Sequence, residues 1–354
     1  MSFRPGEVWL DNNGARINAH GGGILLYDGV YYWFGEHRVG PGGSNPFGIG
    51  VHVYSSRDLY NWRDEGAALL LDKDPDSVIH RNCILERPKV LFNAKTGKFV
   101  MWFHVELNDQ RKRGYGAAYA GVAVADAPTG PYVLQRAGRL DAGKLPTTRT
   151  SDGTIRPLSS VDEAHNARFF LRDFETGQMS RDCTLFLDDD GKAYFITSSE
   201  ENQRLHFHLL NDEFTDSTGT YARFSADRSD VANEAPAVFK KDGKYYLIAS
   251  GTTGWRPNPA RLFVSDSIWG PWTYLGNPCH GDEHQVATTF ESQANFVLPA
   301  PGRPAQFIYL GDRWRPGDLT DSRYIWLPIE WEEGQPVLRW RDAWNLSVFG
   351  ASGK

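Results

Sequence analysis

The chain has 354 residues, of which 40% are hydrophobic and 23% charged, an ordinary balance for a folded globular protein and a length that one all-β domain can reach. A formal net charge of −6, with no basic tract, argues against a nucleic acid or an anionic membrane surface as partner. No run of about 18 apolar residues offers a membrane-spanning helix, and MSFRPGEVW lacks the apolar core of a signal peptide, so the chain is expected to be cytoplasmic or a trimmed form of a secreted protein.

In chain order, the first recognisable unit is 17–36, INAHGGGILLYDGVYYWFGE. An apolar run and an aromatic run flank Asp-Gly, the strongest short signal for a β-hairpin. His20 opens the unit beside three glycines, where missing side chains admit close approach to the backbone. Glu36 closes it, either at the end of a strand or as a solvated turn carboxylate. The phrase VHVYSSRDLYNW follows and reads as the outer strands of the same unit. The pattern returns at 85–104, LERPKVLFNAKTGKFVMWFH, where Glu86 and Arg87 enter an otherwise apolar strand. A carboxylate buried there normally has a partner or a task. Its outer phrase is GVAVADAPTGPY, preceded by Tyr115, which either reaches a central pocket or caps the unit.

From about 135 to 178 a polar segment interrupts the repeat, as either a disordered surface excursion or a flap that shapes a binding site, with Phe169, Phe170 and Phe174 packing its end down. Three more units follow: SRDCTLFLDDDGKAYFIT at 180–197, opened by Asp182; NEAPAVFKKDGKYYLIAS at 233–250, opened by Glu234; and SQANFVLPAPGRPAQFIYLG at 292–311, opened by Gln293. Between the last two, SGTTGWRPNPARLF sets Trp255 as a ring-stacking platform beside the Asn258 amide, and RLFVSDSIWGPW repeats the outer phrase. Asp312, Arg313 and Trp314 end the last inner hairpin, and LRWRDAWNLSVF is expected to be a final strand that closes the ring.

Hairpin units that recur at regular spacing cannot bury their faces alone, so the chain is expected to be a single five-bladed β-propeller spanning 1–354, all-β, with an insertion at about 135–178. The aromatic share, 13% with 12 Trp, serves blade interfaces, sugar stacking, or both. Cys83, Cys183 and Cys279 form neither an even disulfide set nor a CxxC metal pattern and read as buried free thiols. In a propeller the innermost strand of every blade starts near the axis, so His20, Glu86, Asp182, Glu234 and Gln293 should converge. Carboxylates gathered in one apolar pocket raise one another's pKa, leaving one protonated to donate to a leaving oxygen while others stay ionised. Glycosidic-bond cleavage needs that pairing. One His, a Gln and scattered acids give no metal-ligand spacing, so no cofactor is expected, with a structural cation in the axial channel possible; no G-x-S-x-G supports a serine nucleophile.

The motifs INAHGGG with YYWFGE, ERPKV, SRDCTLFLDDDGKAY, NEAPAVFKKDGKYYLI with SGTTGW, and TFESQANFV with GDRW together resemble glycoside hydrolase family 43, in the branch that contains exo-β-1,3-galactanases. The resemblance runs over nearly the whole chain apart from the insertion. It implies an inverting enzyme acting on an oligosaccharide or polysaccharide, with Glu234 as general acid and Asp182 orienting it and tuning its pKa. The family's usual general base, an Asp opening the first blade, is replaced here by His20 and glycines. Gln293 matches the branch's glutamine at the water, and Glu86 is the alternative base on chemical grounds, since a neutral amide is a poor one. The resemblance adds Glu36, Glu86 and Tyr115 as ligands of the terminal sugar; His20, Arg87, Trp255, Asn258, Asp312 and Arg313 complete the expected substrate contacts. An α-L-arabinofuranosidase of the same fold and a non-catalytic galactan-binding propeller are the alternatives.

Overall fold

Asp28–Gly29 and Asp242–Gly243 each hold both φ angles positive and so close two-residue hairpin turns, the geometry that matches the right-handed twist of paired strands. In this computed structural model, which describes residues 1–39, 49–80, 83–107, 115–160, 167–224, 226 and 232–350, the five expected hairpins are the inner halves of five sheets. Blade 1 is β1 (His20–Tyr27), β2 (Val30–Glu36), β3 (Ile49–Ser56) and β4 (Arg63–Leu70), in that spatial order. Blade 2 repeats it with β5 (Ile84–Asn93), β6 (Lys98–Glu106), β7 (Tyr119–Ala125) and β8 (Val133–Gly138). Blade 3 takes β9 (Thr147–Arg149), β10 (Ile155–Pro157), β11 (Cys183–Leu187), β12 (Ala193–Ser199), β13 (Arg204–Leu210) and β14 (Ser217–Arg223), ordered β10-β9-β14-β13-β12-β11, with helix α1 (Arg168–Asp173) alongside. Blade 4 is β15 (Glu234–Lys241), β16 (Lys244–Ser250), β17 (Arg261–Ser265) and β18 (Thr273–Gly276). Blade 5 orders β19 (Cys279–His280), β20 (Gln293–Ala300), β21 (Arg303–Arg313), β22 (Arg323–Glu332) and β23 (Gln335–Arg339) as β19-β23-β22-β21-β20, with α2 (Glu283–Thr288) preceding β20.

The first long strand of each sheet touches that of the next, β1 to β5 to β11 to β15 to β20 and back to β1, so the ring is closed around an axis. Apolar burial follows the same symmetry, with one hydrophobic cluster at each blade interface. Between blades 5 and 1, Trp33, Trp62 and Trp326 pack together, Trp33 and Trp326 at 4.8 Å between ring centres. Much of the aromatic excess is therefore structural. All three cysteines are buried free thiols. Among the described residues no helix is long and apolar enough to cross a membrane.

Two expectations need correction. The final stretch LRWRDAWNLSVF does not form a strand of its own: Leu338 and Arg339 end β23, which lies outside β22 rather than at the axis. The stretch still takes part in closure, through Trp344, whose backbone exchanges hydrogen bonds with Phe3 at 2.7 and 3.1 Å, while β1 packs on β20. The polar interruption is neither a free excursion nor a flap across its described residues. Leu140 and Gln178 pair by backbone hydrogen bonds, β9 joins β14 in parallel, and Phe170 is buried. The segment extends the outer edge of blade 3; residues 161–166 of it lie outside the described residues.

Candidate active site

Three of the inner strands open with the same backbone device. A register shift follows His20, Glu86 and Glu234, and the next residue in each case, Gly21, Arg87 and Ala235, has φ of 60°, 56° and 54°. A bulge of this kind re-aims one side chain at the cost of strain in any non-glycine residue. The third position lacks a donor or a side chain: it is Pro88, Pro236 or Gly22, where a Cβ would sit 1.7 Å from the Phe34 carbonyl oxygen. HGGG, ERPK and EAPA are thus three spellings of one turn that points a polar side chain inward.

Across each hairpin, the inward residue faces the polar end of the second strand: His20 opposite Glu36, Glu86 opposite His104, Glu234 opposite Ser250, Gln293 opposite Asp312. Polar groups thereby ring one end of the axis, around a pocket of about 300 Å³. Of the residues expected from the sequence, Glu36, Glu86, Arg87, Tyr115, Asp182, Glu234, Trp255 and Gln293 all line it.

Arg87 is the hub. Its buried guanidinium donates to Asp182 Oδ2 at 3.0 Å, to Gln293 Oε1 at 2.5 Å, to the Ala294 carbonyl at 2.9 Å and to Asn295. Gln293 in turn donates from Nε2 to Glu234 Oε1 and to Ser250 Oγ, each at 3.0 Å, while Trp314 Nε1 donates to its Oε1 at 3.0 Å. All four hydrogen-bonding positions of the amide are filled, which fixes its orientation. Asp182, Arg87, Gln293 and Glu234 form one connected line across blades 3, 2, 5 and 4.

The carboxyl groups are set apart electrostatically. Burial, and then the nearby Asp182 charge, push Glu234 up to about 8, so it holds its proton at neutral pH. Glu86 lies well below the usual carboxylate range: burial opposes ionisation, but hydrogen bonds and charge from His104 and Arg38 prevail. His104 bridges Glu86 at 3.1 Å and Glu106 at 2.9 Å, and against its burial these contacts raise it to about 9. Glu36 is pushed upward by burial, against its ion pair with Arg38. The Tyr115 hydroxyl donates to Glu86 Oε1 at 3.0 Å.

Four expected contacts are placed elsewhere. His20 is buried behind the wall, 3.5 Å from Asp312 Oδ1. Asp312, also buried, accepts from the Gly21 amide at 2.5 Å and from Asn295 at 2.7 Å. Asn258 spends its amide on its own loop, accepting from Gly251 N and donating to Gly251 O and Thr253. Arg313 donates to the Phe290 carbonyl and lies over Trp340. Conversely, Arg38, His104, Asn202 and Trp314 line the pocket without having been singled out as contacts. The cross-hairpin pairing would have found His104, because it is the last polar residue of its aromatic run; Arg38 and Asn202, which donates to Glu234 Oε2 at 3.2 Å, sit in irregular segments and carry no such signal.

Among the described residues no group of His, Cys, Asp and Glu could hold a metal ion. The buried Lys89 ammonium donates to the Gly21 and Arg87 carbonyls at 2.8 and 3.4 Å, and burial brings it down to about 8.

The sequence profile of glycosyl hydrolases family 43 matches residues 170–336. A solved family-43 β-1,3-galactosidase with galactodeoxynojirimycin is 47% identical, with a TM-score of 0.87 over 97% of this chain and 100% of that one. An exo-β-1,3-galactanase from Phanerochaete chrysosporium, a glutamate-to-alanine variant with β-1,3-galactotriose, is 32% identical, with a TM-score of 0.76 over 98% of this chain and 68% of its own. The exo-β-1,3-galactanase of Clostridium thermocellum is 34% identical, with a TM-score of 0.76 over 97% of this chain and 66% of its own. A comparison with curated protein sequences found no match.

Proposed function

The chain belongs to glycoside hydrolase family 43, and from that premise we propose that it is an inverting, exo-acting enzyme that releases galactose from the end of β-1,3-galactan. The observation that carries the reading is the line from Asp182 through Arg87 and Gln293 to a Glu234 that keeps its proton at neutral pH. A neutral carboxyl is what a glycosidic oxygen needs from a general acid. In this reading Glu234 gives its proton to the leaving oxygen as the C1–O bond breaks, and Asp182 holds the acid's pKa up by its charge. Water enters on the opposite face of C1.

Gln293 is held by Arg87 and Trp314 and donates to Glu234 and Ser250, so in this reading it takes up that water once the substrate, entering between them, displaces its contact with Glu234. The water's proton goes either to Gln293 in its imidic form or to Glu86. Glu86 is anionic, but Arg38, His104 and Tyr115 already occupy its lone pairs and lower its basicity. Gln293 is as fully engaged, through Arg87, Trp314, Glu234 and Ser250, so occupancy does not choose between the two; the family resemblance supports Gln293 at the water and Glu86, with Glu36 and Tyr115, on the terminal sugar's hydroxyls. The names of the similar enzymes, β-1,3-galactosidase and exo-β-1,3-galactanase, support the substrate.

Product analysis tests the substrate. With β-1,3-galactan, free galactose should accumulate from the first time point without intermediate oligosaccharides, and arabinofuranosyl substrates should stay intact. Arabinose release with untouched galactan would replace this reading with an arabinofuranosidase. Galactan binding without any hydrolysis would replace it with a non-catalytic sugar-binding propeller.

A further inference from the structure

Beside the axial pocket lies a second cavity of about 240 Å³. The two share Gly254, Trp255, Gln293 and Trp314 as a common wall, in which the two indole rings meet edge to face at 5.3 Å. Arg256, Arg313, Arg315 and His284 line the second cavity, against the carboxylates Glu291 and Asp312. Both carboxylates are already committed. Asp312 is held by the Gly21 amide and Asn295, and Glu291 pairs with His284 at 3.1 Å and Arg313 at 3.4 Å. Two cations are left over: Arg256 and Arg315 are exposed, and among the described residues their guanidinium groups make no hydrogen bond or ion pair.

A guanidinium is a rigid planar fork that matches a carboxylate in bidentate fashion, and an indole wall offers a face to a sugar ring. We propose that this second cavity binds a carboxylate-bearing branch of the substrate, a uronic acid residue, with Arg256 and Arg315 on its carboxylate. The inference rests on the galactan reading and specifies its substrate as acidic, branched galactan: the chain end enters the axial pocket while the branch turns over the wall of Trp255 and Trp314. A neutral branch of the same size gains the wall contact alone. An acidic one adds charge-assisted hydrogen bonds at a half-open site, where salt weakens them.

The test compares kcat/KM on linear β-1,3-galactotriose and on branched galactans tipped with either glucuronic acid or galactose, for the wild type and the double variant R256Q/R315Q. The wild type should prefer the acid-tipped over the neutral-tipped substrate by about 10-fold, and the preference should shrink in about 0.5 M salt. The double variant should lose the preference and keep its rate on the linear substrate. Equal wild-type rates on the two branched substrates, or a preference that survives in the double variant, would overturn the inference. If the wild type leaves the linear substrate intact, the galactan reading fails instead. Quenching of Trp fluorescence by glucuronic acid then still decides the cavity: a signal in the wild type that the double variant lacks supports it, and no signal in either overturns it.

Discussion

At Glu234, burial and the neighbouring Asp182 charge act in the same direction, and both favour the neutral acid. The free enzyme's kcat/KM should therefore fall as pH rises through about 8, where the acid loses its proton. Glu234→Gln should lower turnover of galactan by about 10³-fold while leaving sugar binding measurable, and should hurt an aryl galactoside with an acidic leaving group far less. Equal losses on both substrates would remove Glu234 from the acid role. Stability gives an independent readout. The folded pKa lies above the unfolded one, so the stabilisation carried by the neutral form is complete below the ordinary glutamate range and is lost as pH climbs through about 8. Glu234→Gln cannot ionise, so above that pH its Tm should exceed that of the wild type by a few degrees. A variant that melts earlier than the wild type at high pH would show that the carboxylate is favourably held when charged.

Among the elements, the bulged entry of β1, β5 and β15 decides which side chains reach the axis. The geometry makes glycine compulsory at one position: an added Cβ at Gly22 would collide with backbone of β2, not with a flexible side chain. Gly22→Ala should cost about 3 kcal/mol, read as a shift of the urea midpoint; an unchanged midpoint would mean that the entry is looser than described. Ala235 already occupies a left-handed conformation, so Ala235→Val should destabilise by about 1–3 kcal/mol and displace Glu234, whereas Ala235→Gly should retain activity. The polar residues that open the units were legible in the sequence because each stands where an apolar pattern begins. The bulges were not, since HGGG, ERPK and EAPA share no residue at their second position and share only a backbone shape. Pairing across the hairpin was missed for the same reason, and with it His104, while His20, expected as a contact, is buried behind the wall and Asp312 lines the second cavity rather than the axial pocket.

For the molecule as a whole, five interfaces carry the apolar burial and the ring has no free end. The blade count could be read from repeated turn chemistry, because Asp-Gly and aromatic runs are local signals. Closure could be read only in part: the last stretch was expected to close the ring, but its partner Phe3, from the opposite end of the chain, makes a contact with Trp344 that has no periodicity. Phe3 packs on Tyr60 at 4.5 Å and on Trp344 at 4.4 Å, so Phe3→Ala should cost about 3–5 kcal/mol in denaturant unfolding and leave the pH profile of activity unchanged. The central claim is chemical: one displacement by water at the anomeric carbon, with a protonated Glu234 on the leaving side. The most direct measurement is proton NMR of β-1,3-galactotriose hydrolysis in its first minutes, before mutarotation. The account predicts that the released galactose appears first as the α-anomer; first appearance of the β-anomer would contradict it.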